Sequence, residues 1–312
     1  MAPYVRTEES TYLTFPEWYL VFNPQEYAAF LAKNKPSRFP YFRSIGQFWS
    51  GYCQVYGATK NHYPFNAGDH LTIGVIGVSF TLEYAVKGIY ENTLGRLTEW
   101  VSGHQTAEDR YAAKVAKRYG EFIPDWPWYE FDYGKAFVGV WKDTGWFGKS
   151  MLRKAERKLA LSFENGIKFV YAKLIKWGTR SVYGVADTEV YVLVTAPSES
   201  TLNMEGVRVI KALVDGSFLI TLPHYQGFTE TAPMVAKAGI DFVSIAGNDE
   251  ILLSVVGPRG VEVSEGHLLF KQTILTDKKR ERQVLQVPVT ELSKMLNNLK
   301  QNKLQLEHIF DY

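Results

Sequence analysis

The chain has 312 residues, enough for two domains with separate cores, and its net charge of +2 by itself calls for no polyanionic partner. The single cysteine, Cys53, excludes an internal disulfide framework and any multi-cysteine metal site. The opening MAPYVRTEESTYL lacks the basic and apolar segments of a secretory signal. Aromatic residues reach 15%, an excess that suits either a thick aromatic core or a surface at a membrane interface.

In chain order, residues 1–14 read as a leader too polar to join a core. Asn23-Pro24 offers a cap and a first-turn proline for a helix over Gln25–Lys33, closed by Pro36 and Pro40. Ile45, Phe48, Trp49, Tyr52, Val55 and Tyr56 recur at helical spacing. After a turn-rich loop, Asp69 caps a long helix over His70–Leu94, with Gly95 as its stop. Its apolar opening, Leu71–Leu82, is near membrane-spanning length when counted to Ile89. Glu83 and Lys87 favour a buried core helix instead.

A second round starts near Glu108. YAAKVAK at Tyr111–Lys117 matches YAAFLAK at Tyr27–Lys33, and PWY at Pro127–Tyr129 matches PYF at Pro40–Phe42. ENGIKFVY at Glu164–Tyr171 matches EYAVKGIY at Glu83–Tyr90. The offsets of 84, 87 and 81 residues, in the same order, predict an internal duplication over about 15–100 and 105–185. From 186 the pattern turns β-rich. Strands are expected at Glu189–Thr195, Val207–Val214, Ser217–Leu222, Ile240–Ala246, Glu250–Val256, Leu268–Leu275, Gln283–Val289 and Leu304–Phe310. Helices are expected over Thr229–Ala238 and from Thr290 to Lys300, and Asp215-Gly216 signals a tight hairpin. Without its extra hairpin, the segment from Ser217 spells β-α-β-β-α-β. The expected fold is therefore α+β: a duplicated, mainly helical domain over 15–185, then a ferredoxin-like sandwich over 186–312.

The matched segments place Glu, Lys and Tyr at i, i+4 and i+7, on one helical face. Candidate ligand-binding residues are Glu83, Lys87, Tyr90, Glu91 and Arg96 in the first copy, with Glu164, Lys168 and Tyr171 in the second. Two carboxylates facing each other across a pseudo-twofold axis would bind a metal or share a proton. The plainer reading is a helical Glu–Lys pair in each copy. No Glu-x-x-His motif of a di-iron bundle occurs, and no metal or cofactor is expected.

Between Lys149 and Arg180 stand nine basic residues: Lys149, Arg153, Lys154, Arg157, Lys158, Lys168, Lys173, Lys176 and Arg180. Two acidic residues accompany them, a local balance of +7 that leaves −5 for the rest of the chain. Interleaved with Leu159, Phe163, Ile167 and Trp177, they predict a basic amphipathic helix on an anionic membrane surface. No nucleic-acid motif accompanies the charge. GWFGKS at Gly145–Ser150 ends like a phosphate loop, but Asp143 stands where that pattern needs glycine.

TYLTFPEWYLVFNPQEYAAFL (Thr11–Leu31), FTLEYAVKGIYENTLGRLTEW (Phe80–Trp100) and RYAAKVAKRYGEFI (Arg110–Ile123) resemble an uncharacterised family of bacterial proteins. That resemblance implies an apolar N-terminal anchor ahead of the TYLTFPEWY-type motif and brings no known activity. The resulting expectation is a non-enzymatic protein of the bacterial inner membrane, peripheral or anchored by a segment missing from this chain. Its C-terminal domain would engage another envelope protein. The alternative is a metal- or small-molecule-binding protein, or an enzyme, with its pocket between the two helical repeats.

Overall fold

Aromatic and aliphatic residues at helical spacing fill the first half of the chain, and the computed structural model turns them into seven helices. It describes residues 8–179, 188–214, 216–263 and 265–311. The helices are α1 (Glu8–Leu31), α2 (Tyr41–Thr59), α3 (Ala67–Tyr90), α4 (Arg96–Ser102), α5 (Ala107–Phe122), α6 (Tyr133–Lys142) and α7 (Met151–Thr179). The described chain forms two compact units. One comprises Met1–Glu17, Gln47–Gly77 and Ala186–Tyr312; the other comprises Trp18–Gly46 and Val78–Val185.

Several expected boundaries move. Residues 11–14 are not a polar leader: Thr11, Tyr12, Leu13 and Thr14 are buried in α1. Asn23-Pro24 starts nothing, because α1 runs straight through it. A proline inside a helix costs a hydrogen bond, and here burial of Trp18, Tyr19 and Phe22 beside it outweighs that loss. The cap of α3 is Asn66, whose Oδ1 accepts from Gly68 N at 3.1 Å; Asp69 sits inside the first turn. Gly95 does not stop that helix. A five-residue π-helical turn, Glu91–Gly95, carries it into α4, and Gly103, with φ 67°, ends it.

In the helical unit two aromatic clusters have the same geometry at a constant displacement of 92 residues. Tyr27 meets Phe39 edge-on at 4.8 Å, Phe30 meets Phe39 at 5.5 Å, and Phe39 meets Tyr41 at 5.0 Å. Tyr119–Phe131, Phe122–Phe131 and Phe131–Tyr133 repeat these contacts at 5.2, 5.4 and 5.1 Å. A 3₁₀ turn precedes each central Phe, Pro36–Arg38 in one cluster and Trp128–Glu130 in the other. The geometry matches Tyr27 with Tyr119 and Phe39 with Phe131, a displacement that differs from the 84 and 87 residues of the sequence matches.

The C-terminal strands are β1 (Glu189–Thr195), β2 (Arg208–Ala212), β3 (Ser217–Pro223), β4 (Asp241–Ile245), β5 (Glu250–Pro258), β6 (His267–Thr273), β7 (Arg280–Pro288) and β8 (Gln305–Phe310). Helix α8 (Gln226–Lys237) lies between β3 and β4, and α9 (Val289–Asn298) between β7 and β8. The strands form two antiparallel four-stranded sheets, β2-β3-β1-β4 and β6-β7-β5-β8, which corrects the ferredoxin-like expectation of one sheet. Each sheet is one β-β-β-α-β segment, so the hairpin read as an insertion is the start of a second round.

Registers coincide as well. Glu189 faces Pro223 as Glu250 faces Pro288. The β1–β4 ladder breaks between Leu193 and Val194, as β5–β8 breaks between Ser254 and Val255. The β2–β3 ladder breaks between Val209 and Lys211, as β6–β7 breaks between Leu268 and Phe270. Helix α9 packs mainly on β4 of the first sheet, α8 packs on β3 of its own sheet and on β8 of the other, and one core holds Val192, Phe228, Phe242, Leu253 and Leu292. Of the expected Asp215-Gly216 turn, Asp215 lies outside the described residues; Gly216 has φ 84°.

Candidate functional site

The recurring Glu–Lys pairs meet across helices. α3 and α7 run antiparallel, so Glu83 lies opposite Lys168 at 2.6 Å and Lys87 opposite Glu164 at 2.8 Å. The exchange is reciprocal: each helix's carboxylate takes the other helix's ammonium. Within one helix only Lys168–Glu164 is close, at 3.4 Å. Lys87 stands over the Tyr27 ring at 4.6 Å, and Lys168 over the equivalent Tyr119 ring at 5.8 Å.

Burial alone would lower both ammonium groups. Glu164 beside Lys87 and Glu83 beside Lys168 outweigh it and hold both above their ordinary values. Burial pushes the Glu164 carboxyl up, but Lys87 and Lys168 bring it down to about 2. Burial also raises the phenols of Tyr27, Tyr41, Tyr84, Tyr119 and Tyr133 around the pairs. The cluster therefore holds Lys87, Lys168 and Glu164 as charges among neutral phenols.

About two to three turns nearer its N-terminus, α7 turns four cations inward. Arg153 is 1% exposed, and its Nη2 donates to Asp109 Oδ1 at 2.7 Å and to Glu99 Oε1 at 3.2 Å. Its Nη1 donates to Glu156 Oε2, to the Gly95 carbonyl and to Thr98 Oγ1, each at 3.0 Å. Arg157, 2% exposed, donates from Nη1 to Glu91 Oε1 at 2.8 Å and from Nε to Glu156 Oε2 at 2.9 Å. Lys154 and Lys158 share Glu108 Oε1 at 3.1 and 3.4 Å.

Four cations thus meet five carboxylates: Glu91, Glu99, Glu108, Asp109 and Glu156. Burial pushes Asp109 and Glu156 up, but Arg153 and Arg157 overcome it and leave both below the ordinary range. At Glu91 burial wins over Arg157 and the carboxyl stays raised. Its Oε2 has no hydrogen-bond partner among the described residues.

This corrects the basic-surface reading. Arg153, Lys154, Arg157 and Lys158 are buried and paired, so they form no solvated basic face. Of the other predicted residues, Lys149 and Lys173 are exposed, Lys176 pairs with Glu130 at 2.8 Å, and Trp177 is 83% exposed. Arg180 lies outside the described residues. Among the ligand candidates, Tyr90 donates to Glu156 at 2.5 Å and Glu91 joins the arginine network. Arg96 reaches the Ser37 carbonyl at 3.2 Å, and Tyr171 stacks on Trp128 at 5.1 Å. The eight candidates are therefore divided over different clusters, and of the two clearest surface depressions one is lined by Tyr171 and the other by none of the eight. Among the described residues no group of His, Cys, Asp and Glu is arranged to hold a metal ion.

With charges inside, α7 turns apolar residues outward. Met151, Leu152, Leu159, Phe163, Ile167, Val170, Leu174 and Trp177 are each more than half exposed. Alongside, Val78, Leu82, Val86, Ile89, Leu97, Trp100 and Val101 of α3 and α4 are also more than half exposed. The long apolar helix is therefore not the buried core helix its charges suggested. It carries one buried face and one bare apolar face. Sequence reasoning missed the inward acids, although the −5 left outside the basic segment was their signal.

A smaller polar cluster sits in the C-terminal unit. His224 Nδ1 lies 2.7 Å from Asp311 Oδ2, which also accepts from Tyr225 N at 3.1 Å. Tyr225, at the β3–α8 turn, has φ 60° and ψ −120°, a conformation costing about 1–3 kcal/mol in a non-glycine residue. Burial raises the Asp311 carboxyl against the pull of His224. Set against protein-family models, the curated proteins and the solved structures, the chain matches none.

Proposed function

We propose that this is a non-enzymatic protein of a membrane surface, seated in lipid through the outward face of α3, α4 and α7. The observation that carries the reading is the polarity of α7, whose charges point inward and whose large apolar side chains point out. A helix facing water is favoured the other way round. The bare face gathers fifteen large apolar side chains, each more than half exposed, where the largest patch on a typical monomer covers roughly 300–600 Å². From Met151 to Trp177 it is about 39 Å long at 1.5 Å per residue.

Among the described residues one helix, Ala67–Ser102, is long and apolar enough to cross a membrane by length and composition. A seat lying in the interface fits the rest of the unit better. α5 packs against α7 and exposes Lys114, Lys117 and Glu121, a face suited to water. The reciprocal Glu–Lys pairs and the matched aromatic clusters support descent of the helical unit from two copies of one segment. No catalytic role is assigned, because its ionisable groups are paired with one another. The family resemblance suggests the bacterial inner membrane as the site.

With Arg153, Lys154, Arg157 and Lys158 buried, attachment rests on apolar contact more than on anionic lipid. Flotation with neutral phosphatidylcholine vesicles in about 1 M salt, where surface electrostatics are screened, tests this. The folded chain is expected to rise with the vesicles. A folded sample left at the bottom with neutral and anionic vesicles alike removes the proposal. Binding only to anionic vesicles, released by salt, would restore the basic-surface account.

A further inference from the structure

We infer that β2 is an open strand-pairing edge and that it pairs with β2 of a second copy of this chain. The two sheets share strand order, register and bulges, so each position in one has a counterpart in the other. The outer strand of the second sheet, β6, is covered over its C-terminal half. Phe15 meets Phe270 edge-on at 5.1 Å, the Gln47 side chain donates to the Thr273 carbonyl at 2.7 Å, and Gln272 donates to the Gln47 carbonyl at 3.0 Å. β5, one strand further in beyond β7, is buried on both faces from Ile251 to Gly257.

The counterpart edge differs. All five residues of β2 are exposed, and β1 alternates between buried and open positions. Among the described residues β2 pairs only with β3. An uncovered edge presents a row of backbone donors and acceptors to any strand that fits. β2 has no proline, and one of its two cations, Arg208, is paired with Glu189. Half-exposed Val209 and Ile210 supply apolar contacts.

Self-pairing fits this strand. In an antiparallel register centred on Ile210, Ile210 faces its own copy, Val209 faces Lys211 and Arg208 faces Ala212. No two cations then stand opposite one another, the arrangement that would oppose pairing. Ile210 is also the residue that the bulge leaves out of the β2–β3 ladder. A twofold contact of this kind is the commonest form of self-association and joins two four-stranded sheets into one of eight.

Native mass spectrometry and light scattering of the full chain over a concentration series provide the test. A dimer that dissociates on dilution is expected. Ile210→Lys, which sets like charges face to face, should weaken association about tenfold or more, and high salt should restore part of it. Ile210→Pro should weaken it regardless of salt. Because Ile210 is exposed, both variants should keep the wild-type circular dichroism. Amide exchange in β2 should slow as the wild-type concentration rises. A monomer at every concentration, a dimer unaffected by both variants, or β2 exchange independent of concentration would each overturn the inference.

Discussion

At the scale of the residue, the charges that define the helical unit act as partners of one another. Glu164 accepts from Lys87 and is held at about 2, below the ordinary glutamate value near 4.3. A carboxyl depressed on folding contributes stability that is present above the unfolded pKa and lost as pH falls through the folded one. The stability difference between wild type and Glu164→Gln should therefore be largest near neutral pH. It should shrink steadily from about pH 4.3 towards 2; denaturant midpoints across that range measure it, and a constant difference contradicts the assignment. These pairs were legible in the sequence because Glu, Lys and Tyr recur at i, i+4 and i+7. The arginine network was not. Periodicity shows that a helix has two faces, but the choice of inward face depends on carboxylates brought from the π turn, α4 and α5.

At the scale of the element, close approach decides which substitutions the helices tolerate. A Cβ at Gly139 of α6 would fall 2.0 Å from the Tyr111 hydroxyl of α5. That hydroxyl is fixed by its bond to the Ala136 carbonyl at 2.9 Å, so it retreats only by giving up a buried hydrogen bond. Gly139→Ala should cost about 1–3 kcal/mol, the usual range for overpacking. Thermal or denaturant unfolding measures it, and a neutral effect would show that the two helices shift apart freely. Strand positions and the helices α2 and α7 follow from apolar spacing and turn residues, which act locally. The run of α1 through Pro16 and Pro24, and of α3 through Gly95, does not. In both, burial of neighbouring side chains overrides the local signals at proline and glycine.

At the scale of the whole molecule, the sequence matches and the packing point to different displacements. Ala-rich and aromatic stretches align at several offsets, among them 81, 84 and 87 residues. The packing around Phe39 and Phe131 repeats instead at 92 residues. The second repetition, of the β-β-β-α-β segments, leaves little trace in residue identity: Tyr191 and Leu252 occupy one position, Lys211 and Phe270 another. What the repeats share is backbone register, which side chains encode only loosely. The proposed membrane seat makes a claim at this same scale. Trp100 and Trp177 mark opposite ends of the bare face, 17 and 9 residues beyond the Glu83–Lys168 pair, or about 39 Å apart along the helix pair. If the helices lie in the interface, both rings rest in the leaflet to which the protein was added. Brominated lipid confined to that outer leaflet should then quench both. Trp100→Phe and Trp177→Phe should each remove part of the quenched emission. If the helix pair instead crosses the bilayer, one ring reaches the far leaflet, and only one of the two substitutions changes the signal.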